Sequence, residues 1–272
     1  MTIPSLTLMI YIITSGVFIS HLFIRNSIVI RISRALFLAC VSLHLISIIL
    51  LGKHIHQLPL ASIPQAINMM VFFASVIFIP IVFRGSTFVL GVFFIPAAAF
   101  ALSLVLPFTG SSPGPVFNPY QPWYPLHTLS VVIGEALFGV AAITSVAYLI
   151  HERIIKNGDI HSRGSNLPAL SILDTLLYSA LTLGFIAITI GMIVGALWAA
   201  ALRLDLYNIA PKAVTGAVTW IIFAVCIHQR FAIGWRGRRT AIITLIGFSC
   251  MVFLLIGIRF LFPGAHGTGL LP

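Results

Sequence analysis

The sequence predicts an all-α integral membrane protein with about eight transmembrane helices. Hydrophobic residues make up 60% of the 272 positions and charged residues 7%, whereas a soluble domain carries roughly 25% charged residues. The mean hydropathy of +1.12 agrees with this class. Because the apolar runs do not alternate with period two, they predict spanning helices and not the strands of a barrel.

Eight apolar runs can be placed along the chain, and the third is the shortest. They cover residues 6–24, 35–52, 68–83, 87–108, 126–150, 176–202, 213–233 and 240–262. We therefore expect a polytopic helix bundle without a soluble domain or an internal repeat. The first run is expected to be a retained span, since no basic segment precedes it and no clear cleavage site follows it.

The distribution of positive charge predicts the orientation of the spans. With an outward N terminus, 11 of the 15 Lys and Arg residues lie in inner loops, while Lys53, Arg203 and Lys212 lie outside and Arg259 lies within the last span. Lys and Arg collect on the cytoplasmic side of membrane proteins. Both termini are therefore predicted to be extracytoplasmic, in a multi-pass protein of the inner (plasma) membrane. The net charge of +10 then needs no nucleic-acid partner.

Two histidines are predicted to lie at the outer membrane surface. His127 begins the fifth span and His266 follows the eighth, and a short insert between spans six and seven lies on the same side. Two imidazoles across an apolar slot are a usual way to hold a haem iron, and Arg203 and Lys212 of the insert would offer cations to its propionates. On spacing alone, interfacial histidines bonded to water or to loop carbonyls are the commoner case.

Several long segments carry a resemblance to a known family. LPALSILDTLLYSALTLGF, GALWA, APK, TW and GWRGRR are similar to the cytochrome c assembly family, which includes CcsA-like and HemX-like proteins. The resemblance covers residues 64–269. It predicts a six-span family domain over residues 64–272, preceded by two spans over residues 1–63.

The resemblance also implies a site. LHTLSVVIGEALFGVA and PGAHGTG are similar to the settings of two external histidines that the family uses as axial ligands of a haem at the outer leaflet. This implies that His127 and His266 bind the haem iron. The residues expected around that haem are Trp123, Trp198, Arg203, Tyr207 and Lys212.

The tryptophan-rich motif of the family is degenerate in this chain. The family pattern Trp-Gly-x-x-Trp-x-Trp-Asp-Pro-Lys-Glu aligns with residues 203–213 without a gap. Of its three rings only one has an aromatic replacement, Tyr207, and both carboxylates are alanine, at Ala210 and Ala213. Because rings and carboxylates would hold the haem edge, the departures favour the HemX-like branch, with haem binding and without ligation to an apocytochrome.

Two polar side chains are predicted to lie inside the membrane. His44 falls in the middle of the second span, and Glu135 lies about 12 Å deeper than His127 along the fifth. Together they are the candidates for a second, intramembrane haem site, because ionisable groups in a span are expensive and usually face the bundle interior. The alternative for each is a buried neutral group hydrogen-bonded to a neighbouring span.

The sequence offers little for catalysis. It has three isolated cysteines, five carboxylates and no phosphate-binding loop or nucleophile–base motif, so an enzyme is not expected. Two functions stay open: a haem-binding factor of cytochrome c maturation or haem homeostasis, and a HemX-like regulator or scaffold of haem biosynthesis without bound haem. The expected partners are haem, membrane lipid, and a second cytochrome c assembly subunit or a haem-biosynthesis enzyme.

Overall fold

The structure is a computed structural model that describes residues 3–24, 26–110, 123–158, 167–201 and 206–261, without the side chains of 206–212 and 256–261. Throughout these ranges the regular structure is helical, with no strand. The helices are α1 (Ile3–Ser20), α2 (Ser27–Ile55), α3 (Ile63–Phe83), α4 (Gly91–Val105), α5 (Trp123–Lys156), α6 (Leu170–Ala201), α7 (Leu206–Ala232) and α8 (Arg238–Leu261). Short 3₁₀ turns flank α4. Counting α4 with these turns, eight segments are long and apolar enough to cross a membrane, which confirms the predicted fold class.

Helices α2 and α3 begin several residues before the predicted spans. The side chain of Asn26 accepts the N–H of Ile28 at the start of α2, and the hydroxyl of Ser62 accepts the N–H of Gln65 at the start of α3. A helix satisfies its backbone hydrogen bonds in the headgroup region as well as in hydrocarbon. Each helix therefore extends beyond its apolar run to a capping residue, so hydropathy alone predicts helices that are too short.

Contacts group the chain into two compact units. The first unit consists of Met1–Ser111 and Ala147–Leu173, and the second of Ser112–Val146 and Asp174–Pro272. Helices α5 and α6 each contribute to both units. The boundary predicted between residues 63 and 64 separates two spans from a family domain, and it stays a prediction.

Aromatic stacking and one capping arginine hold the first unit together. Phe78 stacks on Phe94 with ring centroids 4.1 Å apart, and Phe18 stacks on Phe88 at 4.9 Å. At the C-terminal end of α3, the Arg34 guanidinium donates to the last two carbonyls of the helix, each at 3.1 Å. These carbonyls have no intrahelical partner, so the arginine satisfies them at the membrane edge.

Close helix contacts build the second unit. Phe138 of α5 stacks on Phe223 of α7 with ring centroids 3.5 Å apart. Gly184 of α6 lies against the same Phe138 ring, and a Cβ there would come within 2.8 Å of it. The Trp220 indole N–H of α7 donates to the Thr189 hydroxyl of α6 at 2.9 Å. Small residues such as Gly184 let helices approach closely, which matters in a membrane because lipid supplies no hydrophobic driving force between helices.

Candidate functional site

His127 lies in the second turn of α5 and is fixed against α6. Its ring nitrogen Nδ1 is 2.7 Å from the carbonyl oxygen of Gly191. A carbonyl can only accept, so Nδ1 carries a proton, and in the neutral imidazole the lone pair is then on Nε2. Within the described part of the chain, Nε2 has no hydrogen-bond partner. A histidine that donates one ring N–H to a carbonyl and presents the other nitrogen is arranged as metal-ligating histidines are.

Two glycines on one face of α6 allow this approach. Gly191 and Gly195 are four residues apart, so they lie on one side of the helix. A Cβ at Gly195 would be 2.6 Å from Nδ1 and 2.7 Å from Cε1 of His127, and a Cβ at Gly191 would be 2.7 Å from a methyl carbon of Val131. Gly195 therefore leaves space for the imidazole, and Gly191 lets the backbone of α5 come close enough for the hydrogen bond. We call Gly191 and Gly195 the glycine socket.

Two aromatic rings lie beside the histidine. The Trp198 ring is 6.3 Å from the His127 ring and 5.5 Å from the Tyr124 ring, measured between centroids. Tyr124 is buried and Trp198 is half-buried. Trp123 is 41% exposed, and no ring contact joins it to this group within the described residues. The structure thus brings together two of the predicted residues, His127 and Trp198, and adds Tyr124.

Tyr124 and the glycine socket were missed by the sequence reasoning. Tyr124 precedes the predicted fifth span, which starts at residue 126, but it stands three residues before His127 in the same helix and therefore on the same face. That signal becomes visible only once the helix is known to start at Trp123. Nothing in the sequence signals this contact, because Gly191 lies 64 residues beyond His127 in the chain.

The remaining predicted residues of the outer site are only partly described. His266 and Arg203 lie outside the described residues. Tyr207 and Lys212 lie in the first turns of α7, which begins at Leu206, and their side chains are not described. The polar insert is thus helical from residue 206 onward and is continuous with the seventh span.

His44 is engaged on both ring nitrogens. Nδ1 is 3.2 Å from the Tyr11 hydroxyl, and Nε2 is 3.0 Å from the amide oxygen of Asn68. The Tyr11 hydroxyl also lies 2.8 Å from the Ser75 hydroxyl, and all four side chains are buried. An iron would have to displace Tyr11 or Asn68 to reach His44. The geometry therefore favours the alternative of a buried histidine satisfied by neighbouring spans.

Glu135 lies two turns further along α5 than His127. It is half-buried and has no hydrogen bond or ion pair among the described residues. It stands four residues before Gly139, whose Cβ position is 3.7 Å from the Phe248 ring of α8, so it lies on the α5 face toward α8. His44 and Glu135 belong to different compact units, and their pairing in one site stays a prediction.

No group of three or more His, Cys, Asp or Glu side chains that could hold a metal ion occurs in the part of the chain that the structure describes. A haem needs less from the protein, because the porphyrin fills four iron positions and one or two imidazoles complete the set. His127 with its Nε2 lone pair fits one axial position, and the rings of Trp198 and Tyr124 fit an apolar macrocycle edge.

Comparison with known proteins shows which family the chain is similar to. A sequence model of the family described as "Cytochrome C assembly protein" matches residues 29–266. The chain is 28% identical over 168 residues to a protein of Synechococcus sp. (strain CC9902), with 54% of this chain and 55% of the relative covered. It is 30% identical over 150 residues to a protein of Chlamydomonas reinhardtii, with 54% and 40% covered.

A third relative, from Gloeobacter violaceus, is 39% identical over 107 residues, with 39% of this chain and 31% of the relative covered. All three carry the name cytochrome c biogenesis protein CcsA. The chain spans about half the length of these relatives or less. The family match covers most of the chain, from α2 onward, so this multi-pass membrane protein belongs to the cytochrome c assembly protein family.

Proposed function

We propose that this protein binds haem at the outer membrane surface through His127 and serves in cytochrome c maturation or haem homeostasis in the inner (plasma) membrane. In this role it holds and presents haem and is not itself an enzyme. The observation that supports the proposal is the hydrogen bond from Nδ1–H of His127 to the Gly191 carbonyl. It orients the ring so that the Nε2 lone pair is available to iron.

The rings beside His127 give the same site an apolar wall. A haem is mostly hydrocarbon, so its face and edge favour the aromatic surface of Trp198 and Tyr124 over water. Bound there, haem would supply an iron held by imidazole. His266 remains the predicted second axial ligand, and Arg203 and Lys212 the predicted partners of the propionates. These three assignments rest on the resemblance and on charge.

The second candidate function is a HemX-like regulator or scaffold of haem biosynthesis that carries no haem. One observation favours it, namely the replacement of the family's tryptophans and carboxylates over residues 203–213. Under the first candidate the protein joins a second cytochrome c assembly subunit, and under the second it joins a haem-biosynthesis enzyme. Haem content distinguishes the two.

The decisive experiment is an absorption spectrum of the detergent-purified protein, expressed with haem synthesis intact. We expect a Soret band in the wild type and its loss or shift in His127→Ala and His266→Ala. His151→Ala is the matched control, since His151 also bonds a carbonyl through Nδ1, at 2.9 Å from Pro168, but lies on the inner side.

Three outcomes would contradict the proposal. A colourless wild type that also fails to take up added haem would favour the HemX-like scaffold. A Soret band that is identical in wild type, His127→Ala and His151→Ala would remove His127 as a ligand. A band present in the wild type but lost in His151→Ala as well as in His127→Ala would mean that haem retention depends on the fold and not on this imidazole.

A further inference from the structure

The turn between α7 and α8 has a backbone that only glycine readily provides. Gly234 and Gly237 have φ angles of 73° and 65°, in the left-handed region that other residues rarely adopt. The N–H of Trp235 donates back to the carbonyl of Gln229 at 3.2 Å, and the hydroxyl of Thr240 donates to the carbonyl of Trp235 at 3.2 Å. We call residues 233–239 the α7–α8 turn. By the charge distribution it lies on the inner side.

Asp174 of α6 fixes this turn from the side. Its carboxylate accepts two hydrogen bonds from the Arg230 guanidinium, at 2.8 and 2.7 Å, and one from the N–H of Gly237 at 2.9 Å. The Arg230 guanidinium also lies 4.5 Å from the centre of the Tyr178 ring. The charge of Asp174 is thus matched by Arg230 inside the second unit, and the turn is held without using its own arginines.

The arginines of the turn itself point outward. Arg236, Arg238 and Arg239 are exposed, and the Arg239 guanidinium lies 5.4 Å from the centre of the Trp235 ring. Among the described residues of the second unit the carboxylates are Asp174 and Glu135, and neither forms an ion pair with Arg236 or Arg239. The turn therefore presents the guanidinium groups of Arg236 and Arg239, and no carboxylate of the described residues lies within ion-pair distance of either, although Asp174 is close enough to attract Arg236.

Apolar side chains precede these charges along the chain. Phe231 is 83% exposed and Ile233 59% exposed, and the half-buried ring of Trp235 follows. Along the chain, exposed apolar side chains are thus followed by an aromatic ring and then by cations. Side chains follow the same order from the hydrocarbon to the water at a membrane interface. A soluble anion would use the arginines and gain nothing from Phe231 and Ile233, whereas a lipid would use both.

We propose that the α7–α8 turn is a binding site for an anionic phospholipid of the inner leaflet, with the phosphate on Arg236 and Arg239 and the acyl chains along Phe231 and Ile233. Guanidinium groups bind phosphate oxygens through paired, charge-assisted hydrogen bonds. Because Asp174 ties the turn to α6 and α7, the bound lipid also stabilises the inner end of the second unit.

The test is native mass spectrometry of the full chain released from nanodiscs that contain phosphatidylglycerol and phosphatidylcholine in equal amounts. We expect retained phosphatidylglycerol on the wild type, and binding about thirtyfold weaker in the double variant Arg236→Gln/Arg239→Gln, from the loss of two interfacial cations. The matched control is Arg153→Gln/Lys156→Gln, which removes two exposed cations from the inner end of α5.

Three results would overturn the proposal: equal retention of the two lipids by the wild type, equal losses in both double variants, or displacement of the lipid by millimolar inorganic phosphate. The last would identify a site for the phosphate group alone. Thermal unfolding of each variant in lipid-free detergent accompanies the measurement, and we expect only a small decrease in stability, because contacts of exposed charges contribute little. Lipid mass is read whether or not haem is bound, so the outcome is independent of the proposed haem site.

Discussion

Substituting alanine for Gly195 probes the proposed site without touching the ligand. The new Cβ would be 2.6 Å from Nδ1 and 2.7 Å from Cε1 of His127, whereas non-bonded carbon atoms prefer about 3.5–4.0 Å. The imidazole would therefore have to move by about 1 Å. Such a displacement would break the hydrogen bond to the Gly191 carbonyl or force the ring away from its rotamer.

The size of the effect follows from these two losses. A hydrogen bond of this kind contributes about 1 kcal/mol, and an off-rotamer side chain costs about 0.5–1.5 kcal/mol. Their sum, about 2 kcal/mol, corresponds to haem binding that is roughly thirtyfold weaker. Alanine in place of glycine favours the helix by about 1 kcal/mol. The protein should therefore still fold, but with the His127 imidazole displaced.

The assay is a haem titration of detergent-purified protein, followed through the Soret absorbance per protein molecule, with thermal unfolding measured in parallel. Gly216→Ala in α7 is the control, since a Cβ at that position meets no heavy atom within 4 Å in the described structure. We expect weaker haem binding or a shifted Soret band in Gly195→Ala alone. Unchanged affinity and spectrum in Gly195→Ala would refute the idea that this imidazole, held in this socket, binds the iron.

Three further substitutions test separate contacts. Trp198→Leu should weaken haem binding about three- to tenfold, because one aromatic contact is worth about 0.5–1.5 kcal/mol; a titration indistinguishable from wild type would exclude the ring from the pocket. Asn68→Ala leaves Nε2 of His44 buried without its partner at 3.0 Å, so the free energy of unfolding in detergent should fall by about 1–3 kcal/mol, and an unchanged value would argue against the network. Asp174→Ala leaves Arg230 unpaired where both side chains are largely buried. We expect the free energy of unfolding in detergent to fall by about 2 kcal/mol. Asp174→Asn should recover part of this loss through its remaining hydrogen bonds.

Span number and fold class could be predicted because hydrocarbon imposes one rule on every residue of a span. Nothing in that rule places the helix ends, which depend on single capping residues such as Asn26 and Ser62. The polar insert shows the same difficulty. Its composition indicates a membrane surface, yet α7 already begins at Leu206, since good helix formers such as Leu206 and Ala210 favour helix outside the lipid as well.

The sequence supplied a candidate ligand but not the residues that support it. The resemblance singled out His127, and the structure then placed its Nδ1 against Gly191, 64 residues further along the chain. A contact of that separation leaves no periodic trace in one sequence. His44 is the converse case. Its position inside a span suggested a ligand, but Tyr11 and Asn68, on two other helices, occupy both nitrogens.

The residues that orient His127 lie outside the degenerate motif. Gly191, Gly195 and Trp198 belong to α6 and Tyr124 to α5, whereas the replaced tryptophans and carboxylates fall within residues 203–213. The replacements therefore leave the hydrogen bond and the socket intact. Holding an iron through an imidazole and presenting a haem edge to a second protein thus depend on different segments, and one can be lost without the other. For this reason we propose a protein that binds haem without attaching it to a cytochrome, and the Soret spectrum of His127→Ala is more informative than any assay of cytochrome formation.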